Sequence, residues 1–211
     1  MVYYFRLPNN QLVYMGKDKY ENEELLKFAW KEDIWFHVDD FSSAHVYLRM
    51  PTEDYDINQI QVEVLEWCSQ ITRNNSIKGC KEPQVDIVYT PIGNVKKTPD
   101  LDIGTVVFYD NKQLRFVKNV KNNKDQFKML SKTKEECFPD LEKLKEDHEL
   151  EKRLKEKHTK LEKKKEIQDI EKEKKMKLME VQKARYDFDN RCKTDEDVEQ
   201  RNVINDEDDF L

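Results

Sequence analysis

The sequence predicts an α+β fold, with one mixed sheet-and-helix domain, a long charged helix after it and a disordered acidic tail. Two observations carry this prediction. Within residues 1–138, short apolar runs typical of strands are mixed with segments whose apolar residues recur at helical spacing. Residues 140–185, in contrast, contain no aromatic residue, glycine or proline, and charge dominates them. A packed core is therefore expected only in the first part of the chain.

Charge divides the 211 residues into three segments. Residues 1–139 carry a net charge of −2 and all three tryptophans, residues 140–185 carry +3, and residues 186–211 carry −7. The last segment has the composition of a disordered tail, since it combines high net charge with few large apolar side chains. We predict three parts, namely a domain over 1–138, a charged helix over 139–186 and an acidic tail over 187–211.

The elements of the first part follow from turn, capping and periodicity signals. Apolar runs on either side of the turn-like Pro8-Asn9-Asn10 predict a hairpin. Helices are predicted where a capping residue precedes apolar residues at helical spacing. The predicted strands are Val2–Leu7, Gln11–Met15, Val85–Thr90, Ile103–Tyr109 and Leu114–Val120, with the last two joined around Asp110-Asn111-Lys112; the predicted helices begin near Asn22, Asp56 and Asn123.

The stretch from Asp33 to Met50 predicts a second hairpin in a definite register. Its two flanks alternate with period two around a five-residue link. Pairing residue 38 with residue 44 places the apolar residues of both strands on one side of the sheet. The same register sets Asp33 opposite Arg49, Trp35 opposite Tyr47 and His37 opposite His45, and the first two of these are cross-strand pairs that a sheet favours.

The second face of this hairpin is a candidate surface for nucleic acid. Rings stack on unpaired bases and cations hold phosphates, so such a strip suits single-stranded RNA. The alternative is that helices cover this face and that its rings belong to the core. Two histidines eight residues apart, with no cysteine or carboxylate at ligand spacing, do not predict a metal site. The candidate residues on this strip are Trp35, His37, His45, Tyr47 and Arg49.

The loop Pro91–Pro99 is the best candidate for a basic patch. Its proline and glycine predict a turn whose backbone N–H groups lie beside Lys96 and Lys97, which suits a phosphate. Lys17 and Lys19 complete the predicted patch. The alternative is that these lysines are ordinary solvated side chains. Because residues 1–139 are slightly acidic, nucleic-acid affinity has to come from a local patch.

The charged segment predicts a solvated single helix. Several glutamates, such as Glu156 and Glu173, precede a cation by four residues, which is the stabilising orientation. Its apolar seam is thin, because charged residues such as Glu151 and Lys165 stand where a coiled coil needs bulk. We favour a helix that reaches a protein partner, with self-association as the alternative. A third interpretation is a charge run that does nothing specific.

The sequence argues against several other classes of protein. It has no nucleotide-binding glycine motif, no GxSxG or HExxH motif and no catalytic Cys–His signature, so we expect neither an enzyme nor a cofactor. No apolar stretch is long enough to span a membrane, and the first residues do not resemble a secretion signal. Four scattered cysteines are typical of a reducing compartment, so we expect a cytoplasmic protein, with the nucleus also open.

Several motifs make the chain resemble a known family. Gly16–Tyr20, Asn22–Phe28, Asp33–His37 and Ser43–Arg49 closely resemble the NFACT-R domain, as do Val88-Tyr89-Thr90 and Val95-Lys96-Lys97. The resemblance covers about residues 1–120. With the charged helix after Pro139, the whole chain is similar to the coiled-coil domain-containing protein 25 family.

The resemblance implies a non-enzymatic RNA-binding module. The NFACT-R domain is regarded as RNA-binding, which points to Lys17, Trp35, His37, His45, Arg49, Lys96 and Lys97. Larger relatives act in ribosome-associated quality control, so tRNA, ribosomal RNA and the ribosome are the implied partners. Their tailing activity is not implied, because this chain lacks the domains that recruit tRNA. Vertebrate members are also linked to DNA sensing at the plasma membrane, which makes DNA an alternative ligand.

Overall fold

The computed structural model describes the backbone of residues 1–207 and the side chains of residues 1–188. The chain forms two compact units, Met1–Glu149 and Leu150–Leu211. The first unit is the predicted α+β domain together with the start of the long helix. The second unit consists of the rest of that helix as far as Glu207.

A seven-stranded antiparallel sheet forms the centre of the first unit. Its strand order is β8-β5-β3-β4-β2-β1-β9, and a separate two-stranded sheet is formed by β6 and β7. The strands are β1 (Val2–Arg6), β2 (Leu12–Gly16), β3 (Asp33–Val38), β4 (Val46–Arg49), β5 (Gln84–Pro91), β6 (Val95–Lys96), β7 (Val107–Phe108), β8 (Arg115–Lys121) and β9 (Glu135–Cys137).

Both predicted hairpins in the first fifty residues are confirmed. Strands β1 and β2 pair antiparallel across the turn at Pro8–Asn10. Strands β3 and β4 pair in the predicted register, with Asp33 opposite Arg49 and Trp35 opposite Tyr47. The alternation of apolar and polar residues therefore fixed which side chains share a face of the sheet.

The predicted link between strands at Ile103–Tyr109 and Leu114–Val120 is wrong. Only Val107–Phe108 is a strand in the first of these segments, and it pairs with Val95–Lys96. The second segment, β8, pairs instead with β5 at the edge of the main sheet. Turn residues at 110–112 fit either arrangement, and only long-range packing selects between them.

The described residues contain four α-helices. Helix α1 spans Lys19–Phe28 and is capped by Asp18, four residues earlier than the predicted start. Asp56 caps a short 3₁₀ turn, and helix α2, Val62–Asn74, follows it. Helix α3, Lys124–Ser131, begins at the predicted cap Asn123. Helix α4, Leu141–Glu207, contains the charged segment.

Apolar residues are buried on both faces of the main sheet. On one face, Val64 and Ile71 of α2 and Leu130 of α3 pack against strand residues such as Phe36 and Leu48. On the other face, Leu25 of α1 and Ala29, the residue after it, pack on the sheet together with Val95 and Phe108 of the small β6–β7 hairpin. The sheet is therefore a middle layer, covered on both sides.

Helix α4 continues past residue 186, where the sequence predicted its end. Its Glu173–Lys177 pair is formed, with an Nζ–Oε1 distance of 2.7 Å. The acidic tail predicted over 187–211 falls mostly on residues whose side chains lie outside the described part, and 208–211 lie wholly outside it. The domain boundary predicted at residue 138 falls between β9 and α4.

Candidate nucleic-acid interface

The predicted aromatic strip is not on the surface. Trp35, Tyr47 and His45 are 1%, 0% and 2% exposed. Helix α1 and the β6–β7 hairpin cover them, because the apolar face of α1 and the side chains of Val95 and Phe108 need the same sheet surface for burial. The expectation that Trp35 or Tyr47 stacks on bases is therefore wrong in this conformation, and the core interpretation holds.

The rings of the strip pack on one another. Trp35 stacks on His37 at a centroid distance of 5.3 Å and meets His45 edge-on at 5.2 Å. Phe108 of the small hairpin contacts the Trp35 ring edge-on at 5.7 Å. These are the geometries that aromatic pairs prefer in protein cores.

Both histidines of the strip are uncharged at neutral pH. Burial, together with the nearby His37, lowers the pKa of His45 to about 3. Burial also lowers the pKa of His37, although its hydrogen bond with the Val38 carbonyl opposes this. Neither imidazole is therefore a cation for a phosphate.

Arg49 forms an ion pair inside the domain. Its Nε and Nη2 donate to the two carboxylate oxygens of Asp33 at 2.9 and 3.1 Å. Burial alone would lower the pKa of Arg49, but the hydrogen bonds and charge of Asp33 raise it. The guanidinium also lies over the Trp30 ring, 3.4 Å from its centroid. The predicted phosphate contact of Arg49 is thus replaced by a bidentate ion pair, since a fully buried Asp33 requires a cation.

The ammonium of Lys97 also binds groups inside the domain. Its ammonium lies 2.6 Å from Oε1 of Glu23 and donates to the carbonyls of Asp102 and Thr105 at 2.7 and 3.1 Å. A further carbonyl, that of Leu101, lies at 3.4 Å. Four oxygens already surround three N–H donors, so Lys97 holds the 97–105 loop together and has no donor left for a phosphate.

Three predicted lysines are available on the surface. Lys17 and Lys19 are exposed at the start of α1, and Lys96 is partly exposed on β6. Two of them lie over the ring of an exposed tyrosine. The Lys19 ammonium is 5.3 Å from the centroid of Tyr20, and the Lys96 ammonium is 5.3 Å from that of Tyr109.

The start of α1 and the 97–105 loop are in contact. A Cβ atom built on Gly104 would lie 3.4 Å from the Cβ of Lys19. Glu23 of α1 accepts a hydrogen bond from the Gly104 N–H at 2.8 Å in addition to its ion pair with Lys97. The structure therefore brings together the two basic segments that the sequence proposed as one patch.

Sequence reasoning missed the two exposed tyrosines. Tyr20 and Tyr109 are 61% and 68% exposed. The alternation of the β7 segment gave a signal for Tyr109, because Phe108 is inward and its neighbours therefore point outward. No comparable signal marked Tyr20.

Among the described side chains, no group of three His, Cys, Asp or Glu residues could hold a metal ion. Within the same part of the chain, none of the helices has the length and apolar character needed to cross a membrane.

Comparison with known proteins identifies the family. A family model described as the NFACT protein RNA binding domain matches residues 1–110, just over half of the chain. This chain belongs to the NFACT-R family. The resemblance noted in the sequence is thereby confirmed, and the NFACT-R match includes α1, the covered aromatic strip and the β6–β7 hairpin.

Two relatives extend the similarity beyond the NFACT-R match. Coiled-coil domain-containing protein 25 of Danio rerio is 51% identical over 156 residues, which are 72% of this chain and 75% of that protein. The homologue of that protein in Dictyostelium discoideum is 46% identical over 142 residues, 67% of this chain and 68% of its own length. These two confirm the resemblance to the coiled-coil domain-containing protein 25 family.

A solved structure supports the fold. The C-terminal part of the fibronectin/fibrinogen-binding protein from Streptococcus suis matches with a TM-score of 0.50 and 20% identity. The match covers 60% of this chain and 48% of that one. At this identity the likeness concerns the fold alone.

Proposed function

We propose that this protein is a non-enzymatic RNA-binding module that holds single-stranded or looped RNA on the surface formed by α1 and the β6–β7 hairpin. The observation that carries the proposal is the contact between the start of α1 and the 97–105 loop, since each of these two segments adjoins a lysine–tyrosine pair. Membership of a family described as RNA binding supports it.

The chemistry of this surface suits a nucleic-acid strand. Exposed tyrosine rings provide faces on which unpaired bases stack without sequence preference. The ammonium groups of Lys19 and Lys96 lie over these rings, and Lys17 is exposed just before α1, so all three suit the phosphates between stacked bases. Lys97 takes part indirectly, because it fixes the loop from which the surface is built.

A binding titration tests the proposal. The change is Lys19→Gln with Lys96→Gln in the full chain, and the probe is a fluorescein-labelled single-stranded RNA followed by fluorescence anisotropy over a salt series. We expect weaker binding and a salt slope that falls by about 0.7 for each lost phosphate contact. Tyr20→Ala with Tyr109→Ala should weaken binding by about 1–3 kcal/mol per stacked base and leave the salt slope unchanged.

A matched control separates local contacts from general charge. Lys31→Gln with Lys81→Gln removes two exposed charges outside the proposed surface. Equal losses in the control and the test variant would overturn the assignment of this surface. Absence of RNA binding by the unmodified chain would overturn the function itself.

The finer identity of the ligand is part of the proposal. We favour tRNA or ribosomal RNA and a cytoplasmic site of action, with the ribosome as the partner, because the NFACT-R resemblance points to ribosome-associated quality control. A DNA strand of the same sequence, used as competitor, decides between RNA and the DNA alternative. If DNA competes as well as RNA does, the preference for RNA is wrong.

A second candidate function is a scaffold that associates through α4. Leu150, Leu154 and Leu161 are exposed on this helix at spacings of four and seven residues, which matches one seam of a coiled coil. Sedimentation equilibrium of the full chain tests the idea. A monomer at all concentrations would exclude self-association and leave only a different protein as the partner.

A further inference from the structure

A polar groove lies between α2, the end of β8 and the start of α3. Its volume is about 670 Å³, and three lysines, Lys118, Lys121 and Lys124, line it. It is distinct from the surface proposed above, because α2 and α3 cover the opposite face of the sheet from α1 and the β6–β7 hairpin.

The three lysines have free ammonium groups. All three side chains are exposed, and no hydrogen bond, ion pair or ring contact occupies their Nζ atoms in the described part of the chain. The ammonium of Lys97, in contrast to these three, is surrounded by four oxygens. Glu66 and Asp125 also line the groove, so one positive charge remains in excess. Such a charge balance suits an anion.

A buried hydroxyl in the same groove lacks a partner. Ser69 of α2 lines the groove and is fully buried, and its Oγ makes no hydrogen bond to any described atom. Serine within a helix usually donates to a backbone carbonyl one turn earlier or to another acceptor. Because its proton can rotate about the Cβ–Oγ bond, this unpaired hydroxyl is a donor for an anion in the groove.

The turn between Lys121 and Lys124 is fixed by hydrogen bonds to α2. The buried Gln70 donates from Nε2 to the Lys121 carbonyl at 2.8 Å and accepts at Oε1 from the Asn123 N–H at 3.0 Å. Asn123 then caps α3 by accepting from the Gln126 N–H at 3.0 Å. The first N–H groups of a helix have no intrahelical acceptor and favour an anion. A fixed helix start, free ammonium groups and an unpaired hydroxyl therefore converge on one space.

We propose that this groove binds a backbone phosphate of the RNA held by the first surface. The inference rests on the proposed function, and it deepens that function by adding a second contact on the other side of the sheet. One strand would then be held at two separate places. Phosphate is the chemistry that fits, because each donor named above is of a kind that binds phosphate oxygens in proteins.

The test combines amide chemical shifts with binding. The ¹⁵N-labelled full chain is titrated with a 20-nucleotide single-stranded RNA and, separately, with inorganic phosphate. We expect shifts at residues 119–126 and at Ser69 with both probes. The variant Lys118→Gln, Lys121→Gln, Lys124→Gln should lose these shifts, and its salt slope for RNA should fall by about 0.7, the value for one lost phosphate contact. Ser69→Ala should weaken the phosphate shifts and leave the salt slope unchanged.

Controls keep the two proposals separable. The variant Lys31→Gln, Lys78→Gln, Lys81→Gln removes the same charge from exposed positions outside the groove and should leave the groove shifts intact. RNA binding with an unchanged slope in the groove variant would overturn this inference while the proposed function stands. If RNA does not bind the unmodified chain, the proposed function fails, and phosphate shifts at residues 119–126 still decide whether the groove is an anion site.

Discussion

The ring of Trp30 lies between the side chains of Arg49 and His148. The Arg49 guanidinium carbon is 3.4 Å from the ring centroid, and the His148 ring stacks at 3.6 Å with an interplanar angle of 9°. Two groups this close cannot share one face of the ring, so they occupy opposite faces. His148 also lies 3.1 Å from the buried carboxylate of Glu32. The first turns of α4 are therefore an integral part of the domain.

The stack on Trp30 predicts that His148→Ala loosens the start of α4. We expect a loss of about 1–2 kcal/mol in the free energy of unfolding, from one aromatic pair and one polar contact to a buried acid. Faster amide exchange at residues 141–149 measures the local effect. His158→Ala, an exposed histidine on the same helix, is the control and should change neither quantity.

The Asp33–Arg49 pair predicts a larger effect. Asp33 accepts from Arg49, from the Tyr14 hydroxyl at 2.6 Å and from the Trp30 N–H at 2.7 Å, and its side chain is fully buried. Asp33→Asn leaves the guanidinium without its counter-charge, so we expect a loss of about 3 kcal/mol, measured by urea unfolding.

Asp39→Asn is the matched control for the Asp33 variant. Asp39 is exposed, and the nearby Asp40 and Asp86 add to burial in raising its pKa. Removing this charge should leave stability unchanged or slightly higher. A similar loss in both variants would contradict a special role for the buried pair.

Lys97 and Lys96 should behave differently. Lys97→Met leaves Glu23 and three carbonyls without their cation, so amide exchange over residues 98–106 should accelerate and stability should fall by about 1–2 kcal/mol. Lys96→Met should weaken RNA binding with little effect on exchange. If Lys97→Met weakens RNA binding and leaves exchange unchanged, Lys97 is a phosphate contact after all.

The buried His45 predicts a pH dependence of stability. Its pKa is about 3 in the folded chain and 6.5 when exposed, so the unfolded state binds the extra proton between these values. The contribution of His45 to the free energy of unfolding is fully present above pH 6.5, and it decreases as the pH falls toward 3. Between pH 7 and 5, His45→Gln should show about 2 kcal/mol less decline than the unmodified chain in urea unfolding. If the free energy of unfolding declines equally in the variant and the unmodified chain, His45 is not buried and neutral.

Local signals in the sequence predicted much of the fold and less of the site. The register of Trp35 with Tyr47 followed from period-two alternation, because a slip of one residue would turn every apolar side chain outward. The partner of β8 could not be predicted, since a strand's pairing depends on contacts distant in the sequence.

The site was harder to predict because residue type does not determine exposure. A row of Trp, His and Tyr is equally suited to a core and to a stacking surface, and coverage by α1 decides between them. Lys96 and Lys97 are neighbours in sequence, yet one is on the surface and the other is enclosed by carbonyls. Only the fold of the following loop separates the two roles.

The β6–β7 hairpin shares no backbone hydrogen-bond ladder with the main sheet. Substitutions at Lys96 or Tyr109 can therefore accumulate without disturbing the seven-stranded scaffold beneath. A segment 94–110 that keeps the contacts of Phe108 with Trp35 and of Lys97 with Glu23 is therefore a natural unit for grafting, in which the hairpin of one relative replaces that of another and transfers its ligand preference.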